Sequence, residues 1–320
     1  MTLVEVGLVC VRRGESLFFL HYADGRHSCS DNNTQSDGVN GVASFIVLTA
    51  TLLALAAAVL HASWNLWVKQ SGDRWISLWG QMTAGGAVCG IILVFTGWPN
   101  NLAWWPVITS GLIHVVYIGT LARAYNIGDF SVTYPIARGA GALLAAIGGV
   151  LFLNDDFTAL SMTGIAVAII GIFLLAGKAD NSHVRAALLV ALTIGAYSVV
   201  DGHGSRLTGG NLYPLVLFIA TGVSTTAAGI LMGRSRDMVR AMTTRAHLFV
   251  VAGCASALTY WMVLIAMQKA PVGYVTALRE SSVVIVALVG TRYLGESDAK
   301  RRIAAAGIVV VGLAVLIAGR

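Results

Sequence analysis

Phe130–Lys178 reads FSVTYPIARGAGALLAAIGGVLFLNDDFTALSMTGIAVAIIGIFLLAGK, two apolar runs of membrane-spanning length hinged at Asn154, Asp155 and Asp156. The first run carries a basic residue, Arg138, one turn after Pro135. The same plan returns from Gly273 to the end of the chain, GYVTALRESSVVIVALVGTRYLGESDAKRRIAAAGIVVVGLAVLIAGR. At one offset of 141 residues and without gaps, Arg138 meets Arg279, Ala146 meets Ala287 and Gly149 meets Gly290. Leu153 meets Leu294, the acidic hinge residue Asp155 meets Glu296, and Gly171 meets Gly312. A long-range echo at one offset marks an internal duplication.

Composition places both copies in a bilayer. The chain is 57% hydrophobic and 11% charged, with a mean hydropathy of +0.77, whereas soluble domains carry roughly 25% charged residues. So apolar a chain has too little polar surface to cover a soluble core. The net charge of +6 is spread over short loops and reads as membrane topology, so no nucleic-acid partner is expected. Cys89 and Cys254 fall in apolar runs, and Cys10 and Cys29 in the polar start of the chain. None has the spacing of a metal site, a redox motif or a disulfide framework.

Spans of about 20 apolar residues can be drawn near Ser44–Val68, Ile76–Thr96, Ala103–Tyr125, Phe130–Leu153 and Thr158–Ala176. Five more follow near Val184–Ser205, Leu212–Met232, His247–Gln268, Val272–Leu294 and Arg302–Gly319. The expected fold is an all-α polytopic membrane protein with ten transmembrane helices in two five-helix repeats, residues 44–178 and 184–320. An odd number of crossings per repeat makes the second copy enter from the opposite face, an inverted repeat about an axis in the membrane plane. Residues 1–43 read as a polar tail, either of low order or the product of a start codon placed too early, and they lack the apolar core of a signal peptide. Loops after odd-numbered spans hold twelve Lys and Arg, while the other side holds Arg206, Lys269 and Arg320. The positive-inside rule then puts the odd loops in the cytoplasm and both ends of the membrane domain outside.

The paired YPIARG (134–139) and ALRESS (277–282) openings, the hinges LNDD (153–156) and LGES (294–297) and the glycine-rich helices after them resemble the two EamA domains of the drug/metabolite transporter superfamily. HASWNLWVKQSGDR (61–74) and AYSVVDGHGSR (196–206) resemble one bacterial branch of it. The resemblance covers about residues 44–320. It implies a ten-helix carrier in the plasma (bacterial inner) membrane with a central cavity between the repeats, and export of amino acids or related small metabolites. It also implies both ends in the cytoplasm, against the charge count.

Of the charged residues, Arg138, Arg279 and Glu280 fall well inside expected spans. An ionised group at mid-membrane costs at least about 2.5–3.5 kcal/mol, so it must face a partner or a watery cavity. From matching positions in inverted halves, the two arginines should approach one central region, where guanidinium groups suit a substrate carboxylate or phosphate. The alternatives are that Glu280 neutralises an arginine and ties two helices together, or that Glu280 carries a coupling proton. Tyr134 adjoins the first arginine's turn. His61, Trp64 and Asn65 share one face of the first span, His114 and Tyr117 one face of the third, and Tyr197 and Asp201 one face of the sixth. Such groups either line a substrate path or satisfy one another between helices. Asp201 lies close enough to a helix end for water to reach it. Trp75, Trp79, Trp98, Trp104 and Trp105 read as an interfacial belt, and Gly86 with Gly90 as close helix packing.

Phosphate-loop, zinc-protease and nucleophile-elbow motifs are missing, so neither an enzyme, a metal, a cofactor nor ATP-driven transport is expected. The expectation is a secondary carrier for a small polar metabolite, working as monomer or homodimer in the lipid bilayer with a proton or ion as coupling partner. The rivals are a passive facilitator, a non-transporting partner subunit and an integral-membrane enzyme.

Overall fold

The computed structural model describes residues 33–155, 158–176, 180–279, 282 and 299–319, with side chains from residue 48 onward except at 131, 162, 165, 175, 176, 299, 302 and 317. The chain divides into two units, Met1–Leu48 and Thr49–Arg320. Of the first, the described residues are the opening of helix α1, which begins at Asn33 and not at Ser44 as expected. The second unit carries all that follows.

The described residues form helices and no strand. In chain order they are α1 (Asn33–Gln70), α2 (Arg74–Thr96), α3 (Trp104–Ile127), α4 (Phe130–Leu153) and α5 (Ala159–Ala176). After these come α6 (Asn181–Thr208), α7 (Tyr213–Leu231), α8 (Ser235–Lys269), α9 (Val272–Arg279) and α10 (Ala299–Ala318). Seven of them, α1 to α4 and α6 to α8, are long and apolar enough to cross a membrane. The chain is therefore a multi-pass membrane protein. The apolar stretches of α5 and α10, Ala159–Leu174 and Ile303–Leu316, are shorter. Most of the expected ninth span beyond Arg279 lies outside the described residues, as does the hinge residue Glu296. α8 starts twelve residues before the expected His247 and bends at Arg245, whose backbone leaves the helical region (φ −132, ψ 17). Its first turns therefore form a separate polar segment ahead of the apolar one.

The helices meet in pairs that exchange under a shift of five: α2 with α7, α4 with α9, and α5 with α10. The α2–α8 contact has its counterpart in α3–α7, and α4–α5 in α9–α10. Small residues allow these approaches. A Cβ on Gly164 or Gly312 would overlap the backbone of the facing helix, α10 or α5 respectively. A Cβ on Gly86 would fall 3.0 Å from Phe218 O, and one on Gly222 3.0 Å from Met82 O, so the glycine of the α2 motif packs inside the bundle.

Side chains at the helix ends repeat the same correspondence. Lys69, ending α1, donates to the carbonyls of Tyr125 (2.9 Å) and Gly128 (2.7 Å) at the α3–α4 corner. Arg206, ending α6, donates to the carbonyls of Met267 (3.1 Å) and Ala270 (3.5 Å) at the α8–α9 corner. Two sets of end contacts result. One holds Arg74 on Asn126 (2.6 Å), Arg301 on the Leu174 carbonyl (2.6 Å) and the Asp73–Arg234 ion pair. The other holds Arg206 on Asp155 (2.9 Å), Gln268 on the Gly210 carbonyl (2.8 Å) and Thr158 on Gly319.

α4 runs unbroken through Pro135. The proline lies inside the helix, past its first turn, and removes one backbone hydrogen bond to the preceding turn. The aromatic belt needs one correction. Trp98, Trp104 and Trp105 are exposed, but Trp79 is buried, with its indole N–H on Thr226 Oγ1 at 2.9 Å. Trp75 lies partly buried beneath the Arg234 guanidinium, 4.9 Å from its ring.

Candidate functional site

A membrane-embedded arginine must find polar company, and the helix register decides where. Arg138 on α4 and Arg279 on α9 are both buried, and both lie within electrostatic reach of His61 on α1 and Tyr117 on α3. Arg279 Nη2 donates to His61 Nδ1 at 3.4 Å. The imidazole's proton is thereby assigned to Nε2, which makes no hydrogen bond among the described residues. The Trp64 indole N–H makes none either, and its ring packs edge-on against His61 at 4.7 Å.

These groups open onto a narrow cavity of about 30 Å³ lined by residues of α1, α2, α3, α6, α7, α8 and α9. Arg279, His61 and Trp64 form its donor side. His114, Tyr117, Tyr197 and Tyr260 form aromatic walls, with His114 stacked on Tyr197 at 4.6 Å. Thr221 and Thr259 give their hydroxyl protons to carbonyls on their own helices, Phe218 and Ala255. Their lone pairs remain as acceptors on the cavity side. A void of about 30 Å³ has room for a water molecule, far short of the roughly 300–1,000 Å³ of ordinary ligand sites.

The expected site residues separate into three groups. Arg279, His61, Trp64 and His114 line the cavity. Arg138 and Tyr134 stand behind it; the Tyr134 ring is 6.3 Å from His61, and its hydroxyl shares a hydrogen bond with Ser282 Oγ at 3.0 Å. Asn65 turns away, accepting from the Tyr125 hydroxyl at 2.7 Å and donating to the His61 carbonyl at 2.8 Å, which ties α1 to α3. Asp201 is fully buried, contrary to the expectation that water reaches it: the Tyr260 hydroxyl donates to Oδ2 and covers it from the cavity side. Glu280 lies outside the described residues.

The lining residues Ser256, Thr259 and Tyr260 were not expected. Their i, i+3, i+4 spacing on an otherwise apolar α8 is the same signal that singled out His61, Trp64 and Asn65. Among the described residues no group of three or more His, Cys, Asp or Glu is placed to hold a metal ion.

No curated protein sequence matches the chain. A solved crystal structure, described only as that of a protein, is similar at 20% identity with a TM-score of 0.59, over 86% of this chain and 96% of the other. At that identity the likeness shows the fold alone. Residues 48–177 match the family model described as the EamA-like transporter family. With apolar helices along that segment and a polar, arginine-bearing core among them, the chain is a membrane protein whose residues 48–177 are similar to the EamA-like transporter family.

Proposed function

We propose that the chain is a secondary transporter for a small polar metabolite such as an amino acid, working by alternating access through the cavity between two inverted five-helix repeats. The observation that carries this reading is the convergence of Arg138 and Arg279 around His61 beside a polar, seven-helix-lined cavity. Two guanidiniums with the free N–H groups of His61 and Trp64 make a donor set suited to a carboxylate, while the tyrosine walls and acceptor hydroxyls suit the remainder of a zwitterion. A cavity too small for an amino acid corresponds to a closed state, and opening toward either side requires helices to separate.

Ten crossings and inverted repeats are supported by helix contacts that exchange under a shift of five and by the matching Lys69 and Arg206 corners. The two sets of end contacts each join helix ends that share a face if every helix crosses once. α4 and α9 carry the arginines and touch each other, which makes them the walls that rock. Export, and residence in the bacterial inner membrane as monomer or homodimer, follow the family resemblance.

Counterflow in proteoliposomes tests the reading: vesicles of purified protein loaded with unlabelled amino acids should take up labelled ones against a control without protein. Absence of exchange for every amino acid and related small acid tried would sink it. A passive facilitator would show flux indifferent to any imposed ion gradient.

A further inference from the structure

Asp201 sits on α6 seven residues before the helix ends at Thr208, about 10 Å along the axis at 1.5 Å per residue. Its carboxyl is sealed from both directions. Toward the cavity stands Tyr260, which lines the void and donates to Oδ2. Toward the α6–α7 turn stands Tyr213, itself fully buried and packed over Gly204, where an added Cβ would overlap its phenol ring. Ser110 flanks the carboxyl, and Oδ1 makes no hydrogen bond of ordinary geometry among the described residues.

The charged and titratable groups around it leave the acid without a cation. From α3 come His114, whose Nδ1 is turned to the Ser110 carbonyl at 2.9 Å, and Tyr117. From α7 comes Tyr213, from α8 Tyr260, and from α4 and α9 the arginines, which act on Tyr117 and on Tyr260 respectively. On α6 itself His203 packs against Trp105 at 5.5 Å, and Arg206 is engaged with Asp155 at 2.9 Å. Among the described residues no ion pair involves Asp201. A carboxyl sealed in this way can exchange a proton with water only when one of the two seals opens.

We propose that Asp201 is a proton-binding site, and that the proton it takes up and releases is the one exchanged for substrate. This rests on the carrier reading. In the closed state the carboxyl is neutral. When Tyr213 or Tyr260 moves aside, the carboxyl O–H bond breaks, the proton passes to water as hydronium, and the carboxylate that remains accepts from whichever tyrosine hydroxyl still faces it. Reprotonation from water at the opposite mouth completes the exchange.

The full chain in lipid nanodiscs can be titrated by infrared difference spectroscopy, reading the carbonyl stretch of a protonated carboxyl. The wild type should show a band lost as pH rises, and D201N should lack it. Y260F should move the midpoint to higher pH, because the lost O–H donor had favoured the charged form. That variant decides the matter even where D201N fails to fold. In proteoliposomes, labelled amino acids are followed with and without an imposed pH gradient. The ratio of gradient-driven to exchange flux should be several-fold in the wild type and fall to one in D201N. A titrating band that survives D201N, an unmoved midpoint in Y260F, or an unchanged flux ratio in D201N overturns the proton site. Absence of any exchange in the wild type overturns the carrier reading itself.

Discussion

Arg279 Nη2 stands 3.4 Å from His61 Nδ1, joining α9 to α1 across 218 residues of chain. A guanidinium donating to the imidazole is held in one orientation by that contact. Arg138 reaches the same imidazole electrostatically from α4. Replacing either arginine by alanine should reduce counterflow more than tenfold with the protein still inserted, since losing one partner of a buried charge contact costs about 2–5 kcal/mol. Lysine at position 279 should not restore it, because an ammonium cannot present two parallel N–H groups. Normal flux in both alanine variants would place the substrate elsewhere.

His61→Phe keeps the ring against Trp64 but removes the acceptor that aims Arg279. A hydrogen bond from a charged donor is worth about 1.5–3 kcal/mol, so KM for the transported solute should rise about tenfold or more with a smaller change in maximal rate. Initial rates against solute concentration read the split, and His61→Gln should recover part of the loss.

Asp155 accepts from Arg206 at 2.9 Å and from the Val272 backbone N–H at 2.9 Å, linking the α4–α5 hinge to the ends of α6 and α9. Both Asp155→Ala and Arg206→Ala should lower thermal stability in detergent, by about 1.5–3 kcal/mol each for a charged hydrogen bond. The double variant should cost less than the sum, because both remove one contact. Additive losses in that cycle would show the two residues act separately.

Gly164 and Gly312 let α5 and α10 touch backbone to backbone. Gly312→Leu should force the pair apart and abolish a monodisperse, folded species in size-exclusion chromatography. Gly307→Leu, on the same helix at a position with open space around it, should not.

A reporter active only outside the cytoplasm, fused after Arg320, should be active if the twelve-to-three bias of Lys and Arg governs insertion. A silent fusion would put that end in the cytoplasm, as the family resemblance implies.

Membrane residence was legible in the sequence because a bilayer admits little but apolar helix, and the few charges inside it stand out against that background. Arg138 and Arg279 were conspicuous for that reason, and their spacing of 141 residues needed no coordinates. Tryptophan was not legible in the same way. Trp79 and Trp98 both lie near span ends, yet one bonds Thr226 in the core and the other is exposed, because a helix's rotation about its axis is decided by what it packs against.

The sequence by itself determined the material of the bundle and its internal echo, since the bilayer penalises each buried charge and rewards each apolar run whatever the neighbours are. Tertiary structure alone decided which polar residues meet. Asn65 became a strut to Tyr125, Tyr260 came from α8 to cover Asp201, and His61 received Arg279. Those meetings depend on helix register and rotation, set by close glycine contacts such as Gly86 on Phe218 and Gly164 on α10, and a one-dimensional pattern assigns a residue to a helix face without saying what lies opposite.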